Sequence, residues 1–265
     1  MKTLFTIGDA SNGSDTLLVE LGQDHFCYAF LDRNSKAFSK ISYTALDEFE
    51  EMDKLEEIFG YLDPGNVDKI VVCSSHVQAL LIPQKFFNEE VWLPELVYDQ
   101  YETRHFKDRI PEWQVINVYS LPEVVYEMVN RKLPSALYFH AYTPALKINN
   151  GFTSPDQVDI HFSTQFFRVL VKKEQEVHLA QTYAYKTPLD VVYFLLKIFN
   201  EFSLDQTSAF LVISGLIDID SAMYQELHHY FLNLHFAQPP AYSVPDNEHP
   251  AYYFNSLYNL ASCVS

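Results

Sequence analysis

Two glycines give this chain its strongest indication of phosphate chemistry. Backbone N–H groups can approach a phosphate closely only where no Cβ stands in the way, so glycine is the usual residue at such a site. Five of the seven glycines lie in predicted turns or loops: Gly8, Gly13, Gly60, Gly65 and Gly151. Gly22 and Gly215 remain, and Ser214 precedes the second of them. These three residues form a candidate nucleotide site, with ordinary turn glycines as the competing interpretation.

Three carboxylates suggest a different chemistry, metal-dependent cleavage of phosphodiesters. Two-metal nucleases hold their ions between carboxylates on a first strand and on nearby strand ends. Asp159 lies on a predicted strand, and Asp218 and Asp220 follow a predicted buried strand. Asp159 alternates with Val158 and Ile160 as a solvent-facing residue would, and Asp218 or Asp220 suits a helix N-cap. The sequence therefore favours structural roles for these acids.

Histidine and cysteine add little to the list of candidate sites. His228 and His229 are adjacent on a predicted helix and point to different sides, so with His235 they make poor joint metal ligands. His140, in the strand-like run ALYFHAY, has the setting of a core histidine. The three cysteines share no motif spacing, and the sequence contains no nucleophile elbow, Cys-x-x-Cys pair or P-loop. No metal is expected.

Composition limits the classes of partner. The chain has 265 residues, 18 basic against 35 acidic, and a formal net charge of −17. The electrostatic field of such a negative charge repels the phosphate backbones of nucleic acids, so no nucleic-acid partner is expected. The N-terminal apolar run is too short for a signal peptide, and no stretch approaches the roughly 20 apolar residues of a membrane span. A cytoplasmic location is expected.

The elements that would position these residues follow one order in both halves of the chain. In the first half, three strands, a helix and a buried strand are predicted at Thr16–Leu21, His25–Leu31, Ala37–Thr44, Leu46–Phe59 and Lys69–Cys73. In the second half, the same series is predicted at Val158–Phe162, Phe166–Val171, Val177–Tyr185, Thr187–Phe202 and Ala209–Ile213. Later elements are predicted at Gln114–Tyr119, a helix opened by the capping box Ser120–Glu123, Ala136–Tyr142, Asp220–Phe231, Leu232–Phe236 and Pro250–Ser262.

A gapless shift of 140 positions supports a duplication. It aligns identical residues in the two halves: Phe26 with Phe166, Tyr43 with Tyr183, Leu55 with Leu195, Ile58 with Ile198, Phe59 with Phe199, Val72 with Val212 and Ser74 with Ser214. The shared order of elements predicts an α/β fold of two tandem ribonuclease-H-like domains, residues 1–150 and 151–265, in an actin-like ATPase arrangement with mixed sheets and helices on both faces. Thr143–Pro155 is the predicted linker. Two unrelated α/β domains are the alternative.

Longer runs of the sequence resemble a known family. The run from HFSTQFFRVLVKK to YFLLKIFNEFSLD, the following FLVISG, and the first-half runs LLIPQKFF and ALYFHAYTPALK are similar to domain-of-unknown-function family 3822 of Bacteroides-type bacteria. The resemblance covers nearly the whole chain and implies an actin-like ATPase fold. More distantly, the layout is similar to actin-like components of pilus and type II secretion machines, which act as assembly adaptors.

The resemblance also implies where nucleotide would bind, and the chain departs from that pattern. Actin-like ATPases carry Asp-x-Gly-Ser/Thr in the first hairpin turn, whereas this chain has Glu20-Leu21-Gly22-Gln23-Asp24. The turn Lys173–Glu176 is taken as its counterpart in the second half, and its carboxylates would repel phosphate. A Gly-Gly pair normally contacts the adenosine, and Ser214-Gly215 offers one glycine. ATP with Mg²⁺ therefore remains only an alternative cofactor.

The leading hypothesis is a non-catalytic adaptor or scaffold of the actin-like fold with a degenerate nucleotide site, a pseudo-ATPase. An ATP-binding ATPase or switch is the main rival, and a metal-dependent nuclease the weaker one. A protein partner or a homo-oligomer is expected. The aromatic residues of the C-terminal segment, Tyr252, Tyr253, Phe254 and Tyr258, are predicted to be mostly core, and a partner surface if they are uncovered.

Overall fold

The computed structural model describes residues 2–9, 13–46, 51–88, 102–148, 154–238, 240–246 and 248–264. The chain divides into two compact units. Unit 1 comprises Met1–Ile148, Pro240–His249 and Leu257–Ser265, and unit 2 comprises Asn149–Pro239 and Pro250–Ser256. Two C-terminal segments thus return to the first unit, whereas the sequence-based division at residue 150 assigned them to the second. No helix in the described ranges is long and apolar enough to cross a membrane.

Unit 1 is built on a mixed six-stranded sheet and a smaller antiparallel one. Its strands are β1 (Lys2–Ile7), β2 (Thr16–Leu21), β3 (His25–Asp32), β4 (Ala37–Ala45), β5 (Lys69–Ser74), β6 (Ala79–Pro83), β7 (Thr103–Ile110), β8 (Val115–Pro122) and β9 (Leu137–His140). The main sheet has the order β1-β4-β3-β2-β5-β9, with β5 parallel to both β2 and β9. The small sheet has the order β6-β8-β7. The strands predicted at β2 to β5 are confirmed to within one residue at either end.

One face of the main sheet packs against two helices, α1 (Glu51–Tyr61) and α2 (Glu123–Lys132). Residues 47–50, at the predicted start of the first helix, lie outside the described part of the chain. Gly60, predicted to follow α1, lies inside it. The predicted capping box at Ser120 is wrong: Ser120 belongs to β8, and α2 begins after Pro122 with no side-chain cap. The predicted linker Thr143–Pro155 overlaps a short helix, α3 (Tyr142–Ile148), and residues 149–153 of the linker lie outside the described part of the chain.

Unit 2 repeats the central part of this architecture with five strands. They are β10 (Asp156–Phe162), β11 (Phe166–Lys173), β12 (Glu176–Ala184), β13 (Phe210–Gly215) and β14 (Leu234–Phe236), in the order β12-β11-β10-β13-β14. Two helices, α4 (Pro188–Glu201) and α5 (Ala222–Tyr230), pack their apolar residues on one face of this sheet. The α4 helix begins with a capping box: the Thr187 side chain accepts from Asp190 N, and the Asp190 carboxylate accepts from Thr187 N.

A last helix, α6 (Asn255–Val264), begins in unit 2 and ends in unit 1. Its buried residues in unit 1 include Leu257, Tyr258 and Leu260, and the ring of Tyr258 lies 5.9 Å from that of Phe38 on β4. Lys69 Nζ on β5 donates to Val264 O at 2.8 Å. The C-terminal segment therefore completes the core of the first unit.

The two main sheets share one strand order, third-second-first-fourth-fifth, which confirms the tandem ribonuclease-H-like fold. Their registers show that the first, second and fourth strands are related by 141 positions and not 140. Leu21 stands opposite Phe26 and Ser74, and Phe162 stands opposite Phe167 and Gly215 in the same way. The third strands are related by 139, since Thr44 stands opposite Phe26 and Tyr183 stands opposite Phe167.

The strand matches of Phe26 with Phe166, Val72 with Val212 and Ser74 with Ser214 are therefore wrong by one residue. In a strand, a shift of one residue moves a side chain to the opposite face of the sheet. Val72 lies in the core of unit 1, and the core of unit 2 contains Ile213. The helix matches keep the shift of 140, since these residues lie in the two cores: Leu55, Ile58, Phe59, Leu195, Ile198 and Phe199.

Candidate functional site

Equivalent hairpin turns lie at the end of the first core strand in each unit. Gly22 N donates to His25 O in unit 1, and Ser163 N donates to Phe166 O in unit 2, both at 2.9 Å. The match of the Gly22 turn with Lys173–Glu176 is therefore wrong, because Lys173–Glu176 joins β11 to β12. The true counterpart, Ser163-Thr164-Gln165, carries two hydroxyls and no carboxylate. Phosphate repulsion by Glu174 and Glu176 thus does not apply to this turn.

The space beside Gly22 is filled by the side chain of His25. A Cβ at Gly22 would lie 2.4 Å from both Cε1 and Nδ1 of that ring, and 3.0 Å from Ser75 Oγ. The imidazole also stacks on Tyr43 with ring centroids 5.2 Å apart. Because Gly22 has no Cβ, the imidazole of His25 can pack directly against it. In the pattern of the actin-like ATPases, a phosphate would bind at this position.

Two buried carboxylates hold the His25 ring. Nδ1 lies 2.7 Å from Asp24 Oδ1, and Nε2 lies 3.5 Å from Glu20 Oε1. All three residues are at most 5% exposed. Burial disfavours the imidazolium, but the hydrogen bonds and charges of Asp24 and then Glu20 outweigh it and raise the pKa of His25 to about 10. At neutral pH the group is a buried cation between two anions.

A second buried histidine follows β5. His76 is 9% exposed, and its Nδ1 lies 3.3 Å from Ser74 Oγ. Burial, together with the positive charge of His25, lowers the pKa of His76 to about 4, so this ring is neutral. Its backbone oxygen is 2.9 Å from His140 Nε2, at the end of β9. His140 is 1% exposed and is therefore a hydrogen-bonded core histidine, in keeping with the interpretation of its strand-like run.

Asp108 joins the small sheet to this edge of the main sheet. Its Oδ2 accepts from His140 N at 2.9 Å and from Thr143 Oγ1 at 2.6 Å. Tyr119 OH lies 3.5 Å from Oδ1. Burial raises the pKa of Asp108 to about 6, against the hydrogen bonds from Thr143 and His140, which lower it. The Asp108 carboxyl is therefore a weaker acid than an ordinary aspartate.

Gly215 lies closely against the backbone of Phe162. Its φ is +83°, and a Cβ there would lie 2.1 Å from Phe162 O. Ser214 is 3% exposed, and its Oγ lies 3.0 Å from His161 Nδ1 and 3.3 Å from Asn255 Nδ2. The glycine is required for close packing of β13 on β10, and Ser214 is hydrogen-bonded within unit 2.

The three carboxylates of the nuclease hypothesis have separate surroundings. The sequence predicts that Asp159 faces solvent, but its side chain is only 17% exposed. Asp159 forms an ion pair with the buried Lys172 and accepts a hydrogen bond from Gln157 Nε2 at 2.6 Å. Asp218 accepts from Tyr253 OH at 2.5 Å. The helix after β13 is capped by Ser221, and neither Asp218 nor Asp220 is the cap. Across the described ranges, no group of three or more His, Cys, Asp or Glu side chains is placed to hold a metal ion.

The C-terminal aromatic residues divide into two sets. Phe254 and Tyr258 are buried, at 3% and 2% exposure, as core residues. Tyr252 and Tyr253 are half-buried in unit 2, and the ring of Tyr252 stacks on Phe236 with centroids 4.1 Å apart.

Sequence reasoning missed the His25 cluster because Asp24 and His25 are also ordinary hairpin residues. The signal was present in the spacing: Glu20 and Asp24 enclose Gly22, and His25 follows directly. Only the register of β2 on β3, which pairs Glu20 with Cys27 and Leu21 with Phe26, shows that these side chains converge.

Comparisons with known proteins agree with this architecture. A family model described as "Protein of unknown function (DUF3822)" matches residues 9–234. A Bacteroides thetaiotaomicron protein with an actin-like ATPase fold and unknown function is similar at 16% identity and a TM-score of 0.77, over 96% of this chain and 98% of that one. The PilM-PilN type IV pilus biogenesis complex is similar at 11% identity and a TM-score of 0.64, over 95% and 98%. Among curated proteins, none matches the chain. The likenesses confirm the actin-like fold.

Proposed function

The chain belongs to the DUF3822 family of proteins of unknown function, and we propose that it is a non-catalytic adaptor or scaffold with a degenerate nucleotide site. The observation that carries this proposal is the His25 ring against Gly22. A phosphate brought to this turn would meet Glu20 and Asp24, two buried carboxylates already neutralised in part by the imidazolium. Displacing the ring would leave both anions without their cation, at a cost of several kcal/mol.

Gly215 supports the same conclusion from unit 2. Its Cα packs against Phe162, and Ser214 is held by His161 and Asn255. A protein partner is supported by the PilM-PilN complex, where a protein of similar fold is bound to a second protein. Because Gly22 and Gly215 are both buried and each lies closely against a neighbouring group, we favour association with another protein as the role.

An ATP-binding switch is the second candidate, and the Ser163-Thr164-Gln165 turn is the observation that favours it. This turn keeps hydroxyl groups, lacks carboxylates and has the same hairpin geometry as the Gly22 turn. A nucleotide bound there would depend on its hydroxyls and backbone N–H groups.

Calorimetric titration with ATP and Mg²⁺ separates the two candidates. The adaptor proposal predicts no saturable heat, meaning a Kd weaker than about 100 µM. Tighter binding that is lost in a Thr164→Asp variant would establish the switch and overturn the adaptor. Thr164 is half-buried in the turn, so this substitution adds a carboxylate without the backbone clash that any side chain at Gly215 would create.

A further inference from the structure

Four aromatic rings form a continuous row in unit 2. The ring of Tyr224 on α5 stacks on Phe236 at the end of β14, with centroids 5.4 Å apart. Phe236 stacks on Tyr252 at 4.1 Å, and Tyr252 meets Tyr253 edge-on at 5.6 Å. All four residues are half-buried. We name this set the aromatic row.

Carboxylates lie beside the aromatic row. Asp218 is exposed and accepts a hydrogen bond from Tyr253 OH at 2.5 Å. Its charge also helps to raise the pKa of Tyr252, after burial, so Asp218 is close to both tyrosines. Asp220 is exposed on the same turn, and Ile219 between the two acids exposes 56% of its surface.

The elements that build this surface contain no Lys or Arg, and their basic side chains are the histidines His228, His229 and His235. Lys197 is the last Lys or Arg in the chain, and acidic residues continue beyond it: Glu201, Asp205, Asp218, Asp220, Glu226, Asp246 and Glu248. The α5 helix, β14 and the segment Ala251–Phe254 that build the aromatic row all lie within this basic-free stretch. These elements therefore supply no Lys or Arg of their own to Asp218 or Asp220.

We propose that the aromatic row, with Asp218 and Ile219, docks a basic segment of a partner protein, one that carries arginine or lysine next to an apolar residue. Charge complementarity favours a basic partner segment, since an acidic surface of this kind repels an acidic segment or a phosphate. This inference deepens the proposed adaptor role, and it rests on that role for the existence of a protein partner.

The chemistry of the surface suits arginine in particular. A carboxylate offers about four acceptor positions, so Asp218 can bind a guanidinium while it keeps the bond from Tyr253. The aliphatic stem and the flat guanidinium pack well on tyrosine and phenylalanine rings. Ile219 provides an exposed apolar contact beside the charge. Tyrosine and arginine pairs of this kind concentrate binding energy at protein interfaces.

Selection from a phage-displayed library of random peptides tests the inference, with the full-length protein as bait. Peptides that bind the wild type are then titrated by fluorescence anisotropy against three variants. Asp218→Asn and Ile219→Lys change exposed residues and should leave the fold intact. Glu201→Gln removes an exposed carboxylate at the end of α4, away from the aromatic row in sequence, and is the matched charge control.

We expect the selected peptides to contain arginine or lysine beside an apolar residue. They should bind Asp218→Asn and Ile219→Lys at least about tenfold more weakly than the wild type, and Glu201→Gln within about twofold. Three outcomes overturn the inference: no enriched peptide, enriched peptides without a basic residue, or an equal loss with Glu201→Gln, which would indicate non-specific attraction to a chain of charge −17. If ATP binds tightly while the peptide results hold, the adaptor proposal fails and the docking surface stands.

Discussion

His25 Nδ1 lies 2.7 Å from Asp24 Oδ1, while the same ring covers Gly22 at a distance that leaves no room for a Cβ. A single histidine thus places one positive charge between two buried carboxylates, and its ring fills the turn where the actin-like pattern would bind a phosphate. Removing the His25 ring would leave the carboxylates of Glu20 and Asp24 buried without a cation. Keeping the ring leaves no space for a phosphate at the Gly22 turn. Several measurable properties depend on this arrangement.

The stability of the protein should depend on pH through His25. Its pKa rises from 6.5 to about 10 on folding, so the stability that it contributes is complete below pH 6.5 and is lost as the pH rises towards 10. Between pH 7 and 9 the loss should be about 1.4 kcal/mol per pH unit in the free energy of unfolding, measured with urea. His25→Gln should remove this slope. His229→Gln, at a side chain that is 73% exposed, should retain it, and parallel profiles for all three proteins would refute the assignment.

Asp108 should act in the opposite pH range. Because burial raises its pKa from 3.8 to about 6, the folded protein holds this proton more tightly than the unfolded chain and gains stability as the pH falls through 6. Asp108→Asn retains an acceptor for Thr143 but does not titrate. The free energy of unfolding of Asp108→Asn, relative to that of the wild type, should therefore decrease by about 1.4 kcal/mol for each unit by which the pH is lowered from 6 to 4. Asp68→Asn, at an exposed aspartate, is the matched control. A constant difference for Asp108→Asn would contradict the assignment.

Gly215 and Gly60 should respond differently to the same substitution. Gly215→Ala places a Cβ 2.1 Å from Phe162 O at a φ of +83°, and should cost at least about 2 kcal/mol of unfolding free energy. Gly60→Ala, inside α1 with no atom within 4 Å of the added Cβ, should be neutral or stabilising by about 0.5–1 kcal/mol. Thermal unfolding of the two variants measures the contrast. Similar melting temperatures would show that the close approach at Gly215 is not present in solution.

The contribution of α6 to unit 1 can be measured at Leu260. This residue is 1% exposed, and Leu260→Ala should lower the free energy of unfolding by about 2–5 kcal/mol. Its neighbour Asn259 is half-buried on the same helix, and Asn259→Ala should change stability by about 0.5 kcal/mol or less. A loss at Leu260 no larger than at Asn259 would contradict the role of the C-terminal segment in the first unit's core.

The sequence predicts the main strands well because their apolar residues alternate or run unbroken, as Lys69–Ser74 and Phe210–Gly215 do. It misses β7 because four of the eight residues of TRHFKDRI are charged, three of them in succession, and because this strand lies at the edge of a small sheet. The shift of 140 is correct for the helices and wrong by one residue for the strands. No gapless alignment can show a one-residue difference between adjacent elements.

The candidate site was harder to predict than the fold. The sequence singles out Gly22 and Gly215, but what fills the space beside them depends on pairing between strands that are distant in sequence. Phe162 lies against Gly215 only because β10 and β13 are parallel neighbours. The hydroxyl-bearing turn at Ser163 was overlooked because it contains neither glycine nor carboxylate.

The protonation state of His25 in solution is the most direct test of the central claim that the Gly22 turn holds an internal imidazolium in place of a phosphate. Long-range proton–nitrogen spectra of protein labelled at histidine, recorded from pH 6 to 9 with and without ATP and Mg²⁺, report it. We predict that His25 stays doubly protonated across this range and that its signals do not move when nucleotide is added. A His25 ring that is neutral at pH 7, or one whose signals shift saturably with ATP, would contradict the account.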